Sequence, residues 1–231
     1  MTETRKTPTI QDVARSANVS TATVSRALSS PDRVSESTRA RVSEAIRVTG
    51  YTLNQAARSL RQRTAKTILV ALPDIRNSFF SSILDAVERE ATNRGYGVLV
   101  ANLFLARSPA QRLQDYMLSN RADGLLLLDG SLDLSSLHSL VRPPNSVPLV
   151  VACEEIPNSG FHTVLTDNLS AGERATRHLI DLGHRQIAHL LGPEGNVVAR
   201  DRLAGYTNAL TQAGIPVQQQ WLFRGNFDME S

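Results

Sequence analysis

A chain of 231 residues that is 41% hydrophobic and 20% charged has enough apolar material for a real core and exceeds one minimal domain, so two modules are expected. The single cysteine, Cys153, excludes an internal disulfide and reads as a space-filling thiol in a reducing compartment. No stretch approaches the roughly 18 apolar residues of a membrane span, and Glu3, Arg5 and Lys6 precede any apolar run, so a cytoplasmic chain with no membrane partner is expected. Charge is divided by position: residues 1–66 hold 12 Lys/Arg against 5 Asp/Glu, whereas residues 67–231 hold 13 against 17. A basic module on an acidic body suits a polyanion at one end and a different partner at the other.

The first sixty residues carry helical periodicity. Ile10, Val13, Ala14 and Ala17 share one face of a first helix with Thr9 as its N-cap, and Asn18-Val19 makes a short turn. Ser20 caps a second helix whose inner face is Val24, Ala27 and Leu28; after Pro31 and Asp32, Ser35 caps a third, with Val42, Ala45, Ile46 and Thr49 inward and Gly50 as its stop. The segment 52–66 is basic, with Arg58, Arg61, Arg63 and Lys66.

From Thr67 short apolar runs alternate with helices. Ile68–Leu72, Val98–Ala101, Leu125–Leu128, Leu149–Ala152, Val164-Leu165 and Ile187–Leu191 read as buried strands. Between them lie helices such as 78–94, where Phe80, Ile83, Leu84, Val87 and Ala91 share a face, and 170–182. The alternation predicts an α/β, doubly wound body with a parallel sheet behind an all-α helix-turn-helix headpiece.

A helix enters the major groove when one face packs on its own domain and the other offers short or hydrogen-bonding side chains to base edges. The second helix has Thr21, Ala22, Ser25, Arg26 and Ser29 outward. Arg26 can make a bidentate contact to guanine, Thr21 and Ala22 suit a thymine methyl or close packing, and Thr9, Ser20, Thr23 and Ser25 are short donors suited to phosphates. On residues alone, an ordinary three-helix bundle with a solvated basic face stays open.

The run TIQDVARSANVSTATVSRALSSPDRVSESTRARVSEAIRVTGYTLNQAARSL resembles the N-terminal domain of the LacI/GalR family along its whole length, and TILVALPDIRNSFFS continues the resemblance into the body. STATVSRAL, SPDRVS and that last run are most similar to a nucleoside-responding member. The resemblance implies a DNA-binding transcriptional repressor, homodimeric when full-length, on a two-fold operator in double-stranded DNA. It implies a periplasmic-binding-protein-like (type I) body, a small sugar or nucleoside effector and no cofactor, and it places Thr21, Ala22 and Arg26 at the bases. Asn54 to Arg61 is too short for a stable isolated helix. The family implies that this hinge becomes helical on the operator, with Leu60 wedged between base pairs of the minor groove, a known device for kinking DNA. Asn54, Ala57 and Arg58 join it, the small Ala57 allowing close helix approach and Arg58 reaching a phosphate. Packing of Leu60 on Tyr51 or Ala57 is the alternative.

Ligands of open α/β sheets bind beyond the carboxyl ends of strands, which is where the loop 73–80 falls. Phe80 belongs to the inward stripe of its helix, while Phe79 falls off it, free to stack on a flat ligand. The family implies that residues of this loop line the effector cleft, so Asp74, Asn77 and Phe79 are candidates. In the helix after Gly192-Pro193-Glu194-Gly195-Asn196, Arg202 matches the arginine of the family's RLAG motif; a surface ion pair with Asp201 or Glu194 is its alternative. Asn196 is supported more loosely, and Asp167 reads as a helix cap.

Enzyme readings find little support: there is no Walker A run, no dinucleotide glycine fingerprint and no nucleophile elbow. His184 and His189 are five apart, wrong for one helical face, and His178 lies on an apolar stripe as a core histidine. The expected division is a headpiece 1–51, a hinge 52–66, an effector-binding N-subdomain 67–166, and the start of a C-subdomain at 167–231. The resemblance ends before the family's pattern does, so the chain is expected to be truncated, with the body incomplete at the C-terminus. A solute-binding protein with the same body is the second reading.

Overall fold

The headpiece helices begin where side chains answer backbone groups that the helix ends leave unpaired. The computed structural model describes residues 8–52, 64–104, 107–141 and 147–227, and the chain divides into two compact units, Met1–Arg61 and Gln62–Ser231. In the first unit α1 spans Ile10–Ala17, α2 Thr21–Ser29 and α3 Glu36–Thr49, with a 3-10 turn at Pro31–Arg33. The backbone N–H and the hydroxyl of Thr9 both donate to Asp12 Oδ2, at 2.9 and 2.7 Å. Ser20 Oγ accepts from Thr23 N–H at 3.1 Å, and Gly50 ends α3 at φ +67°, a left-handed conformation that favours glycine. Val13, Ala14 and Ala17 of α1 close on Val24 and Ala27 of α2 and Val42 and Ala45 of α3. The result is the helix-turn-helix expected from the three apolar stripes.

In the second unit β1 (Thr67–Leu72), β2 (Gly97–Asn102), β3 (Gly124–Leu127), β4 (Leu149–Ala152) and β5 (His162–Val164) form a parallel sheet in the order β2-β1-β3-β4-β5. Helix α4 (Ser78–Asn93) covers one face through Phe80 against Val70, Leu72, Leu128 and Ala152. Helices α5 (Pro109–Leu118) and α6 (Leu134–Val141) cover the other, where Leu113, Met117, Leu137 and Leu140 meet Leu69, Leu125, Leu127 and Val151. Helices on both faces of a parallel sheet make the fold doubly wound, and the strand order reverses between β1 and β3. A second parallel pair, β6 (His189–Leu191) with β7 (Leu222–Arg224), packs with α7 (Asn168–Asp181) and α8 (Val197–Gln212) through Ile187, Tyr206 and Leu210.

Helices α7 and α8 cross with their backbones almost touching. A Cβ placed on Gly205 lies 2.1 Å from the carbonyl oxygen of Leu169, and one on Gly172 lies 2.4 Å from that of Arg202. The missing side chains let Thr176 and Tyr206 bury themselves, with their hydroxyls donating to the carbonyls of Gly172 and Ile187 at 2.8 Å.

Three expectations are corrected. Strand β5 is exposed along its length, Val164 at 65%, because it is an edge strand with its side chains outside the cores described above. In the run 187–191 the strand starts only at His189 and Leu190 points outward at 69% exposure, although Ile187 is buried. His178 is exposed, since the buried positions of α7 are Asn168 and Thr176 and it falls on the other side. The sequence reading missed β7, because three residues are too few to show an alternation and the strand is defined by its pairing with distant β6.

Candidate nucleic-acid interface and effector cleft

Burial of Val24 and Ala27 turns the opposite face of α2 outward, so Thr21, Ala22, Arg26 and Ser29 are exposed and Ser25 is half-buried. These five line a surface concavity of ≈ 580 Å³, together with Ile10 and Gln11 of α1, Ser30 and Arg33. Gln11 and Arg33 were not singled out from the sequence. Gln11 sits beside the inward Ile10, and Arg33 is brought alongside α2 only by the 3-10 turn. The wall thus carries two guanidinium groups, one amide and several hydroxyls on a short apolar floor, a set able to bond base edges and phosphates.

The expected phosphate donors have local duties as well. The Thr9 hydroxyl hydrogen is committed to Asp12, and Ser20 and Thr23 share a hydroxyl hydrogen bond of 2.9 Å at the start of α2. Their first role is to set the ends of α1 and α2, and hence the angle at which the α2 face is offered. The hinge candidates Asn54, Ala57, Arg58 and Leu60 lie outside the described residues.

In the second unit the strand-order reversal puts a crevice beyond the carboxyl ends of β1 and β3. Asp74, after β1, is held by Arg76, whose guanidinium donates to both carboxylate oxygens at 2.7–3.1 Å and stacks on Phe104 with 4.4 Å to the ring centroid. The side-chain bonds from Arg76, then its backbone N–H, keep the Asp74 carboxyl below the usual carboxylate range. Asn77 caps α4 by accepting from Phe79 N–H at 3.0 Å, and its amide donates to the Phe227 carbonyl at 3.4 Å.

Phe79 is 53% exposed, with its ring edge-on to Phe80. It stands at one end of an apolar groove of ≈ 750 Å³ that follows α4 past Ile83 and Val87 to Tyr96. The structure therefore gathers Phe79 with the flank of α4, not with Asn196 and Arg202.

Glu154, after β4, was not foreseen. Its Oε2 accepts from Gly130 N–H at 2.8 Å, after β3, and its Oε1 accepts from the Asn196 amide at 2.7 Å. One carboxylate therefore ties the first sheet to the start of α8, where Asn196 Oδ1 also caps the helix by accepting from Ala199 N–H at 3.0 Å. The rule that selected the loop after β1, namely position at a strand's carboxyl end, also covers Glu154 and Gly130.

Arg202 is exposed and donates through Nε to Asn168 Oδ1 at 2.9 Å. The ion pair considered for it belongs instead to Arg200, 2.9 Å from Asp201. Asp167 caps α7 as expected, accepting from Ser170 N–H at 2.9 Å. Burial, then the charge of Arg202, pushes the His189 pKa down, and its ring lies 5.0 Å from that of Tyr206. Among the described residues no cluster of three or more His, Cys, Asp or Glu side chains is placed to hold a metal ion, and no helix is long and apolar enough to cross a membrane.

The fold and these two sites define a helix-turn-helix module joined to a binding body built like the periplasmic binding proteins. Residues 9–54 match the family described as bacterial regulatory proteins, lacI family, and residues 65–231 match periplasmic binding proteins and sugar binding domain of LacI family. The HTH-type transcriptional repressor CytR of Escherichia coli (strain K12) is 40% identical over 223 residues, covering 96% of this chain and 65% of the relative. Catabolite control protein A of Priestia megaterium is 33% identical over 96% of this chain and 67% of its own length. Among solved structures, the lac repressor dimer bound to operator and the anti-inducer ONPF aligns with a TM-score of 0.82 at 29% identity, covering 96% of this chain and 67% of that one. The chain belongs to the LacI family. It spans 65% of the length of CytR.

Proposed function

We propose that this chain acts as a transcriptional repressor that reads DNA and senses an effector, without catalytic activity. The headpiece, 1–51, reads base edges through Thr21, Ala22 and Arg26, with Ser25, Ser29 and the capped helix starts at Thr9, Ser20 and Thr23 on the phosphate side. The hinge, 52–66, contributes Asn54, Ala57, Arg58 and the Leu60 wedge. The body, with its N-subdomain at 67–166 and C-subdomain from 167, takes a small nucleoside or sugar between Asp74 and Asn77 on one side and Asn196 and Arg202 on the other, with Phe79 at the margin. The protein works as a homodimer on a two-fold operator, in the cytoplasm and associated with the nucleoid.

The observation that carries this reading is the exposed face of α2: Thr21, Ala22, Arg26 and Ser29 stand in one concavity with Arg33, while Val24 and Ala27 are buried behind them. An effector alters operator affinity only through unequal affinity for two conformations. The Glu154–Asn196 bond supplies a contact that such a ligand can replace.

Selection of duplexes from a random pool tests the reading. A preferred two-fold sequence is expected, and Arg26→Ala should relax preference at one position per half-site by about 1–3 kcal/mol. Unchanged preference removes Arg26 from base readout, and binding independent of salt contradicts phosphate contact. A thermal-shift panel of nucleosides and sugars identifies the effector class.

A further inference from the structure

At the amino ends of β1, β2 and β3, opposite the cleft, the body grips the residues by which the chain leaves toward the headpiece. Asp123 Oδ1 accepts from Ala65 N–H at 2.7 Å, and Oδ2 accepts from Lys66 N–H at 2.7 Å and from the Thr64 hydroxyl at 2.6 Å. Across from it, the Lys66 ammonium lies 4.6 Å from the centroid of the Tyr96 ring. Lys66 itself turns the chain at φ +50°, a conformation uncommon for a residue with a side chain, and its carbonyl accepts from Gly97 N–H at 2.8 Å. The clamp closes on the strand ladder where Asp123 N–H donates to the Thr67 carbonyl at 2.8 Å.

Strand register does not require this clamp. β1 is already paired with β2 from Thr67 to Leu72 and with β3 from Ile68 to Ala71. The bonds that the Asp123 side chain accepts from residues 64–66 fall upstream of that ladder, so what they add is the position and direction in which the chain departs. A half-buried carboxylate filled by N–H and O–H donors makes charge-assisted bonds, which are the stronger kind. Burial works to raise its pKa, and the bonds from Thr64, Ala65, Lys66 and Thr67 outweigh it, holding the group ionised.

We infer that Asp123, assisted by Tyr96, is a positioning residue for DNA binding: it holds residues 64–66 so that the hinge starts from a fixed point on the body. This rests on the proposed repressor function.

The test uses the whole chain and a duplex selected from a random pool, with hydrogen exchange at Ala65 and Lys66 and thermal melting measured in parallel. Asp123→Ala is expected to lose protection at those two amides and to bind the duplex about tenfold more weakly, the scale of re-ordering about one residue of backbone on binding. The dependence of affinity on salt should stay the same, because no phosphate contact is removed. Asp123→Asn, which keeps one acceptor oxygen, should fall between. Asp85→Ala makes the same charge change at an exposed ion pair with Arg89 and should bind within twofold of the wild type.

If Asp123→Ala melts the sheet, Thr64→Val removes one bond from the linker side and is expected to weaken binding about two- to threefold. Protection lost with affinity unchanged, or affinity unchanged in both Asp123→Asn and Thr64→Val, overturns the positioning role. A wild-type chain that selects no duplex strikes at the repressor reading instead, and the two failures are distinguishable because the clamp test compares variants with a wild type that binds.

Discussion

Replacing Gly205 with alanine tests the packing that places Arg202. The added Cβ would sit 2.1 Å from the Leu169 carbonyl oxygen and 2.6 Å from the Glu173 nitrogen, both backbone atoms that no rotamer change can move aside. Ordinary contact begins near 3.4 Å, so α7 and α8 must separate by about 1.3 Å or shift along each other. Overpacking of this kind costs about 1–3 kcal/mol, and a backbone obstacle argues for the upper end. Alanine recovers about 1 kcal/mol of helix propensity, which leaves a net loss of about 2 kcal/mol. For a unit of this size that lowers Tm by about 4–8 °C.

Urea unfolding and calorimetry measure both values. Asn208→Ala, on the exposed side of the same helix, is the control and should be neutral or slightly stabilising. The same separation pulls Arg202 from Asn168, so effector-induced stabilisation should fall with the melting temperature. An unchanged or raised Tm for Gly205→Ala would refute the close crossing, and with it the explanation of how Arg202 is held.

Three further outcomes are expected. Ser20→Ala, which leaves the Thr23 N–H without its cap, should lower headpiece stability by about 1 kcal/mol, read by denaturant titration of the N-terminal unit. His189 has its pKa lowered on folding, so the folded state binds fewer protons than the unfolded one; stability is present above the usual histidine value and declines as pH falls through it. Melting at pH 7.5 and 5.5 should show that decline, and His189→Phe should flatten it. Asp133 is held at about 2 by bonds from Ser135 and Ser136 at the start of α6; its contribution is present above pH 3.8 and is lost as pH falls toward 2, so Asp133→Ala should remove that part of the acid transition in circular dichroism.

The headpiece was legible because its information is local. Thr9, Ser20, Ser35 and Gly50 mark helix ends within one turn of the residues they serve, and the spacing of Val13, Ala17, Val24, Ala27, Val42 and Ala45 names the inward faces. The outward face of α2 follows by subtraction. The five strands of the main sheet were legible for a related reason, since apolar runs between helices leave few arrangements for a parallel sheet. The exposure of β5 was not, because an apolar run carries no mark of whether its strand becomes an edge.

The cleft depended on distance in sequence. Glu154 and Asn196 are 42 positions apart, and Asp123 meets Ala65 across 58, so neither pair leaves a periodic trace. Phe79 shows the same limit from the other side: its place off the inner stripe revealed that it is exposed, and only the packed sheet decided that it faces the groove beside α4. By itself the sequence determined the headpiece helices and their buried faces, the apolar runs of the main sheet, and which module carries the positive charge, since each follows from neighbours a few residues away. The tertiary structure alone decided which carboxylate holds which loop, because hydrogen bonds between distant strand ends exist only once the sheet has brought those ends together.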